Sequence, residues 1–299
     1  MSFFRPALFL LLTAVPLTAQ QVAITFDDLP EHGDLPPHVS RLQVAKSLLS
    51  TFKRENLPPV YGFINGVDLE DTPSEMKVLK AWRAAGQPLG SHTYSHPALT
   101  GTTVEKYEQN IAKNEPLLEK LMAGQDWHWF RYPYLREGET PEKRNAIREY
   151  LSQRGYRVAQ VSLDFEDYMW NDPYARCSAK GDAKSIDWLQ KSYLETADEY
   201  ITVFREITHT LYGRDISYVL LLHIGAFDAK MFPDLVALLR RRGFSFVSLP
   251  EAMKDPAYAD DPKVTLPEGD TFQEQVAIAR HVKFPPNGKP SKQLEAICR

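Results

Sequence analysis

The sequence predicts an α/β fold: one α/β barrel or strongly curved sheet of about seven parallel strands, in a single domain with a C-terminal tail. Three observations carry this reading. Strand-like apolar runs alternate with helical patterns of about 10–20 residues, which is the rhythm of parallel βαβ units. Several runs, such as Val219-Leu220-Leu221-Leu222 and Val158 to Leu163, are apolar on both faces, as strands covered by helices are. Most helical patterns stop at a glycine (Gly86, Gly124, Gly155, Gly213 and Gly243), the residue that enters the left-handed conformation at a helix end without steric cost. A chain of 299 residues would allow two domains, but barrels of about 250 residues fold as one.

Taken in order, the chain opens on Arg5, an apolar run from Ala7 to Leu17, and Leu17-Thr18-Ala19. A basic start, a short apolar core and a small residue at its end describe a secretory signal peptide over 1–19. The run is shorter than the roughly 20 residues that span a bilayer. The expectation is therefore an exported protein, periplasmic or secreted, with no stable membrane insertion after cleavage. Loss of Arg5 takes the net charge from −4 to −5. Export permits disulfides, and the two cysteines, Cys177 and Cys298, either pair or stand as free thiols.

The strands follow at 22–26, 59–64, 87–91, 128–132, 156–163, 217–223 and 244–248. The helices lie at about 37–54, 73–85, 103–122, 141–154, 184–212 and 229–242. Thr72-Pro73-Ser74-Glu75 reads as a capping box with proline at the first helical position. Thr140-Pro141-Glu142 opens a helix in a similar way, and Asp228 can cap the helix after the sixth strand. These units make a barrel domain over 21–250. Residues 251–299, rich in proline and charge with one helical patch near 270–281, read as an extension wrapping it.

The chain is 43% hydrophobic and 25% charged, ordinary for a soluble enzyme. A net charge of −4 argues against a nucleic-acid partner. Arg240-Arg241-Arg242 is a solvated helix end favoured by the dipole. Trp127 and Trp129 read as core, and His32 and His38 as loop residues.

Parallel barrels carry their chemistry at the C-terminal ends of the strands. Five strand ends here are polar: Asp27-Asp28, His92 to His96, Arg131 to Tyr134, Asp164 to Trp170, and His223. Two adjacent carboxylates do not ionise independently unless a cation or an arginine neutralises them. His92 and His96 are spaced i, i+4, which on one helical turn puts both imidazoles on the same side. With one carboxylate they make a His₂Asp set suited to a divalent metal with an open position. Each motif alone is commonplace; their joint occurrence, in order, is not.

Taken together, Thr25-Phe26-Asp27-Asp28, His92-x-x-x-His96, Arg131-x-Pro133-Tyr134, Asp164-x-x-Asp167 and Leu221-x-His223 resemble the five ordered motifs of the NodB-type polysaccharide deacetylases, carbohydrate esterase family four. The resemblance covers roughly 22–250 and implies a distorted (β/α) barrel. It also implies removal of acetyl groups from chitin-like glycans, peptidoglycan or xylan with one divalent metal, usually Zn²⁺, with Co²⁺ as another. Carried over residue by residue, it makes Asp28, His92 and His96 the metal ligands and Asp27 the general base, oriented by Arg131. His223 becomes the general acid, supported by Asp167, and the Tyr134 amide an oxyanion donor.

Three departures bear on substrate. Leu29-Pro30 replaces the family's usual Gly-Pro. Tyr168 stands where a tryptophan is usual, with Trp170 two residues on, so either could wall the acetyl pocket. The 171–215 segment is long for its place. The expected substrate is an N-acetylated glycan. Alternatives with the same site are an acetylxylan esterase or small-amide hydrolase; from another class, a catalytically silent glycan-binding protein of the cell envelope.

Overall fold

Among the described residues, 20–285 and 288–299 of the computed structural model, the apolar runs form seven parallel strands. They are β1 (Gln20–Leu29), β2 (Tyr61–Ile64), β3 (Leu89–Ser91), β4 (Trp129–Phe130), β5 (Arg157–Val158), β6 (Tyr218–His223) and β7 (Phe244–Phe246). The order across the sheet is β5-β4-β3-β2-β1-β6, with β7 beside the start of β1. The signal-peptide expectation for 1–19 falls outside the described residues.

The expected strand 156–163 is used twice. Its first residues pair with β4. After Ala159 the chain crosses over, and Leu163 bridges Leu220 of β6. One apolar run thus curls the sheet into a half-barrel that nearly closes on itself, and the regular part of each strand there is short.

The helices are α1 (Arg41–Arg54), the single turn α2 (Asp68–Asp71), α3 (Met76–Ala84), α4 (Val104–Met122), α5 (Pro141–Gln153), α6 (Asn171–Lys180), α7 (Ala183–Tyr212), α8 (Ala226–Arg241), α9 (Leu249–Ala252), α10 (Phe272–Ala279) and α11 (Ser291–Ala296). Thr140 caps α5 by accepting from the Lys143 amide. Thr72 makes no such bond, and Pro73–Glu75 is a 3₁₀ turn rather than a capping box. Asp228 is not a cap either. Gly225 precedes α8, and the Phe227 amide donates to the Asn171 side chain instead. The 171–215 segment holds two helices, α6 and α7, rather than one.

β1 shows how the fold aims its chemistry. Side chains alternate faces along a strand. Val22, Ile24 and Phe26 pack outward among the helices, where Phe26 meets Phe52, Trp82 and Phe232 at centroid distances of 5.6–6.0 Å. Burying such a ring stabilises the fold by about 1.5–3 kcal/mol. Ala23 faces the barrel interior with Tyr61, Phe63, Trp129, Ala159 and Val219; by the same alternation Thr25 and Asp27 lie on that inner side.

The C-terminal segment fills the seam between β5 and β6. The Phe272 amide donates to Val161 O at 2.7 Å, Gln273 Nε2 to Ser162 O at 2.8 Å, and Tyr258 Oη to Ser217 O at 2.8 Å. A disulfide joins Cys177 of α6 to Cys298, so the pairing left open by the sequence is made. No helix among the described residues is long and apolar enough to cross a membrane.

Candidate active site

The five polar strand ends converge on one cleft of about 350 Å³. Asp27, continuing the inward alternation of β1, is buried at its floor. By the same alternation Asp28 would turn away. It does not, because its backbone takes a left-handed conformation, φ +62°, at an irregularity between Phe26 and Leu29. Such a conformation costs a non-glycine residue of order 1–3 kcal/mol. It brings the second carboxylate back into the cleft. A cis peptide then joins Leu29 to Pro30. Leu29 is fully buried over Gly62, where a Cβ would come within 2.6 Å of Leu29 Cδ2. The Leu29 side chain therefore does not line the cleft.

Arg131 is buried and spends its guanidinium on three partners. Nη1 reaches both oxygens of Asp27 at 3.3 and 3.4 Å, Nη2 donates to Thr25 Oγ1 at 3.1 Å, and Nε donates to Ala159 O at 2.7 Å. Burial raises the Asp27 pKa, and Arg131 opposes it; burial wins, leaving Asp27 at about 6. The arginine thus pairs with the carboxylate, but its lowering effect is outweighed by burial.

Asp28, His92 and His96 offer ligand atoms within 4.8 Å of one another. The two histidines do not sit on a helical turn. They follow β3 on a loop in which Thr93 and His96 have φ of +63° and +53°, and these kinks, not helical periodicity, bring the rings to one side. Their Nε2 atoms are 3.1 Å apart, each 3.5 Å from Asp28 Oδ1. His92 Nδ1 donates to Arg131 O at 2.8 Å, since a carbonyl only accepts, which leaves Nε2 unprotonated. Burial pushes both imidazoles down to about 4, so they stay neutral. Burial also works to raise Asp28, but the hydrogen bond to His32 and the surrounding imidazoles hold its carboxyl far below the usual range. Its Oδ1 is buried with no hydrogen-bond partner among the described residues. The unprotonated His92 nitrogen, the neutral His96 imidazole and an orphaned carboxylate oxygen are a donor set that fits a divalent metal.

His32, read from the sequence as a loop residue, belongs here. Its Nδ1 lies 2.8 Å from Asp28 Oδ2, and its ring 4.7 Å from that of His223. The available signal was its i, i+4 spacing from Asp28.

On the opposite wall stands His223, at the end of β6. Asp167, fully buried, accepts from its Nδ1 at 2.9 Å and from its amide at 2.7 Å. Burial would lower this imidazole, but the Asp167 carboxylate outweighs it and lifts His223 to about 10. Of the two aromatic residues between which the sequence could not choose, Tyr168 lines the cleft, its ring edge-on to His223 at 5.3 Å. Trp170 does not. It is fully buried, donates to Ser192 Oγ at 2.9 Å and packs on Tyr193. Tyr134 lines the other side against His96 at 4.4 Å, with φ +57°.

The C-terminal segment contributes Glu268 and Gly269 to the cleft lining. Glu268 pairs with Arg136. A Cβ on Gly269 would fall within 1.6 Å of Tyr134 O, so glycine alone permits this approach.

Comparison with known proteins agrees with the architecture. Residues 14–159 match the sequence model of the polysaccharide deacetylases. A peptidoglycan-N-acetylglucosamine deacetylase of Bacillus cereus is 29% identical over 51% of this chain and 48% of its own; the chain thus spans about half the length of that relative. The chitin deacetylase of Colletotrichum lindemuthianum superposes with a TM-score of 0.56 at 21% identity, over 79% of this chain and 88% of that one. A family 4 carbohydrate esterase pseudoenzyme of Bacillus anthracis does so with 0.52 at 13% identity, over 79% and 66%. With the five ordered motifs gathered at one end of a parallel half-barrel, the chain belongs to the polysaccharide deacetylase family.

Proposed function

We propose that this protein is an exported, metal-dependent deacetylase that hydrolyses acetyl groups on N-acetylated glycans. The observation that carries the reading is the division of labour around the cleft: a three-ligand set, a buried carboxylate beside it and a carboxylate-backed histidine opposite. Asp28, His92 and His96 would hold a divalent cation, Zn²⁺ by donor type. When bound, such a cation acidifies water and polarises a carbonyl near neutral pH. Asp27, oriented by Arg131, takes the proton of the attacking water. The Tyr134 amide faces the oxygen that gains charge. His223 delivers a proton to the leaving nitrogen, so acetate and a free amine result. The exposed rings of Tyr134 and Tyr168 give the sugar two apolar faces to rest on. Export is supported by the basic-apolar start of the sequence and by the Cys177–Cys298 disulfide, which suits an oxidising compartment.

The direct test is acetate release from N-acetylglucosamine oligomers and peptidoglycan fragments. Activity should vanish on chelation and return with Zn²⁺ or Co²⁺; full turnover after thorough metal removal would sink the metal requirement. His96→Ala is expected to lower metal content after dialysis, with wild-type stoichiometry as the contrary result.

The pH profile of kcat/KM should be a bell. The base works only when deprotonated, so the rate rises with pH through the Asp27 pKa, about 6; beside a bound cation that limb moves lower, never higher. The acid works only when protonated, so the rate falls as pH climbs through the His223 pKa, about 10. A profile that falls already at neutral pH would contradict the assignment of His223.

A further inference from the structure

Asp228 is a buried carboxyl that the chemistry above does not use. It sits in the first turn of α8, fully inaccessible to solvent. Tyr193 of α7, in the long 171–215 segment, donates its hydroxyl to Asp228 Oδ1 at 2.7 Å. The second oxygen, Oδ2, has no N–H or O–H donor among the described residues. The Asp228 and Asp167 side chains are hydrogen-bond neighbours, and Asp167 already accepts twice from His223. The space beside Oδ2 is filled: a Cβ on Gly225 would sit 2.8 Å from Asp228 Oδ2 and 2.9 Å from Asn171 Oδ1.

Two buried carboxyls in contact, with no cation between them, hold one proton between the pair. Asp167 faces an imidazole that favours its charge. Asp228 faces a phenol, a carboxylate and apolar packing from Phe227 and Tyr193. Burial and the Asp167 charge push the Asp228 carboxyl up well above its ordinary range. The proton therefore resides on Oδ2, and the oxygen without a donor is itself the donor.

We propose that Asp228 is a positioning residue for the acid: its carboxyl group donates a hydrogen bond to Asp167, holding that carboxylate aligned on His223, while Tyr193 fixes Asp228. The chain Tyr193–Asp228–Asp167–His223 runs from α7 to the cleft, which gives the 171–215 segment a function behind the site rather than at its mouth. The inference rests on the reading of His223 as the acid.

The test compares D228A, D228N and Y193F in the full-length zinc-loaded enzyme, with an N-acetylglucosamine oligomer as substrate. Groups that orient a metal-binding histidine are worth about 10–100-fold in activity, and the same range is expected for a group that orients the carboxylate behind the acid. D228A should lower kcat by that factor with KM and metal content unchanged. D228N should recover most of the loss, because its amide keeps the fork: Oδ1 accepts from Tyr193 and Nδ2 donates to Asp167. Y193F should fall between them. In an H223A background D228A should cost nothing further, which a merely structural residue would not show. Wild-type kcat in D228A, an equal loss in D228A and D228N, or an undiminished D228A effect on H223A would each overturn the proposal. Full activity of H223A alone would instead overturn the assignment of the acid.

Discussion

Asp27→Asn is expected to lower kcat by about 10²–10⁴-fold, the range a positioned general base supplies, while the protein keeps its metal. The substitution preserves shape. It removes the buried carboxylate that lies beside the three candidate ligands without being one of them. The ligand set is untouched, and Arg131 remains anchored by Ala159 O and Thr25 Oγ1. Metal content by elemental analysis and acetate release by enzymatic assay separate the two functions. Turnover close to wild type would show that the base lies elsewhere.

Arg131→Met should lower the free energy of unfolding by about 3–5 kcal/mol, the cost of breaking a buried ion pair by removing one partner. Both side chains are essentially inaccessible to solvent, 1% for Arg131 and 2% for Asp27. Methionine fills part of the volume but leaves the Asp27 carboxylate, Ala159 O and Thr25 Oγ1 without the guanidinium. Lysine would not substitute, because a single ammonium cannot reach three directions as the planar fork does. The shift in denaturation midpoint measures the loss. Adding Asp27→Asn to Arg131→Met should return part of it, since the stranded charge is then gone. An unchanged midpoint in Arg131→Met would mean that the pair contributes nothing to the folded state.

The parallel α/β architecture was legible because its causes are local: apolar runs, helix-stopping glycines and the Thr140 cap. The gathering of Asp27, Asp28, His92, His96, Arg131, Asp167 and His223 was legible because strand ends share one rim. The means of aiming them was not. Asp28, Thr93, His96 and Tyr134 all take positive φ without being glycine, and no propensity announces that. Such conformations persist only where surrounding packing over-determines them. Tyr168 and Trp170 are two residues apart and chemically alike; only the 3₁₀ turn Asp167–Trp170 decides that one lines the cleft and the other enters the core. Asp228 looked like a cap because capping needs only its own helix, whereas its hydrogen-bond partner, Tyr193, lies 35 residues earlier. His32 was passed over for a related reason: a histidine in a loop gains its meaning from the strand end it folds back upon.

The approach of Gly269 to the Tyr134 carbonyl has a consequence in time as well as in space. The cleft wall beside Tyr134 comes from a part of the chain near its C-terminus, and so does the filling of the seam between β5 and β6. During synthesis every candidate ligand and proposed proton-transfer residue emerges before this wall exists. The cleft lining is therefore completed after those side chains are made, and a chain cut short near residue 250 keeps the candidate site residues but not the finished enclosure. Closure of the cleft then waits for Glu268 and Gly269 rather than for His223, the last in sequence of the proposed proton-transfer residues.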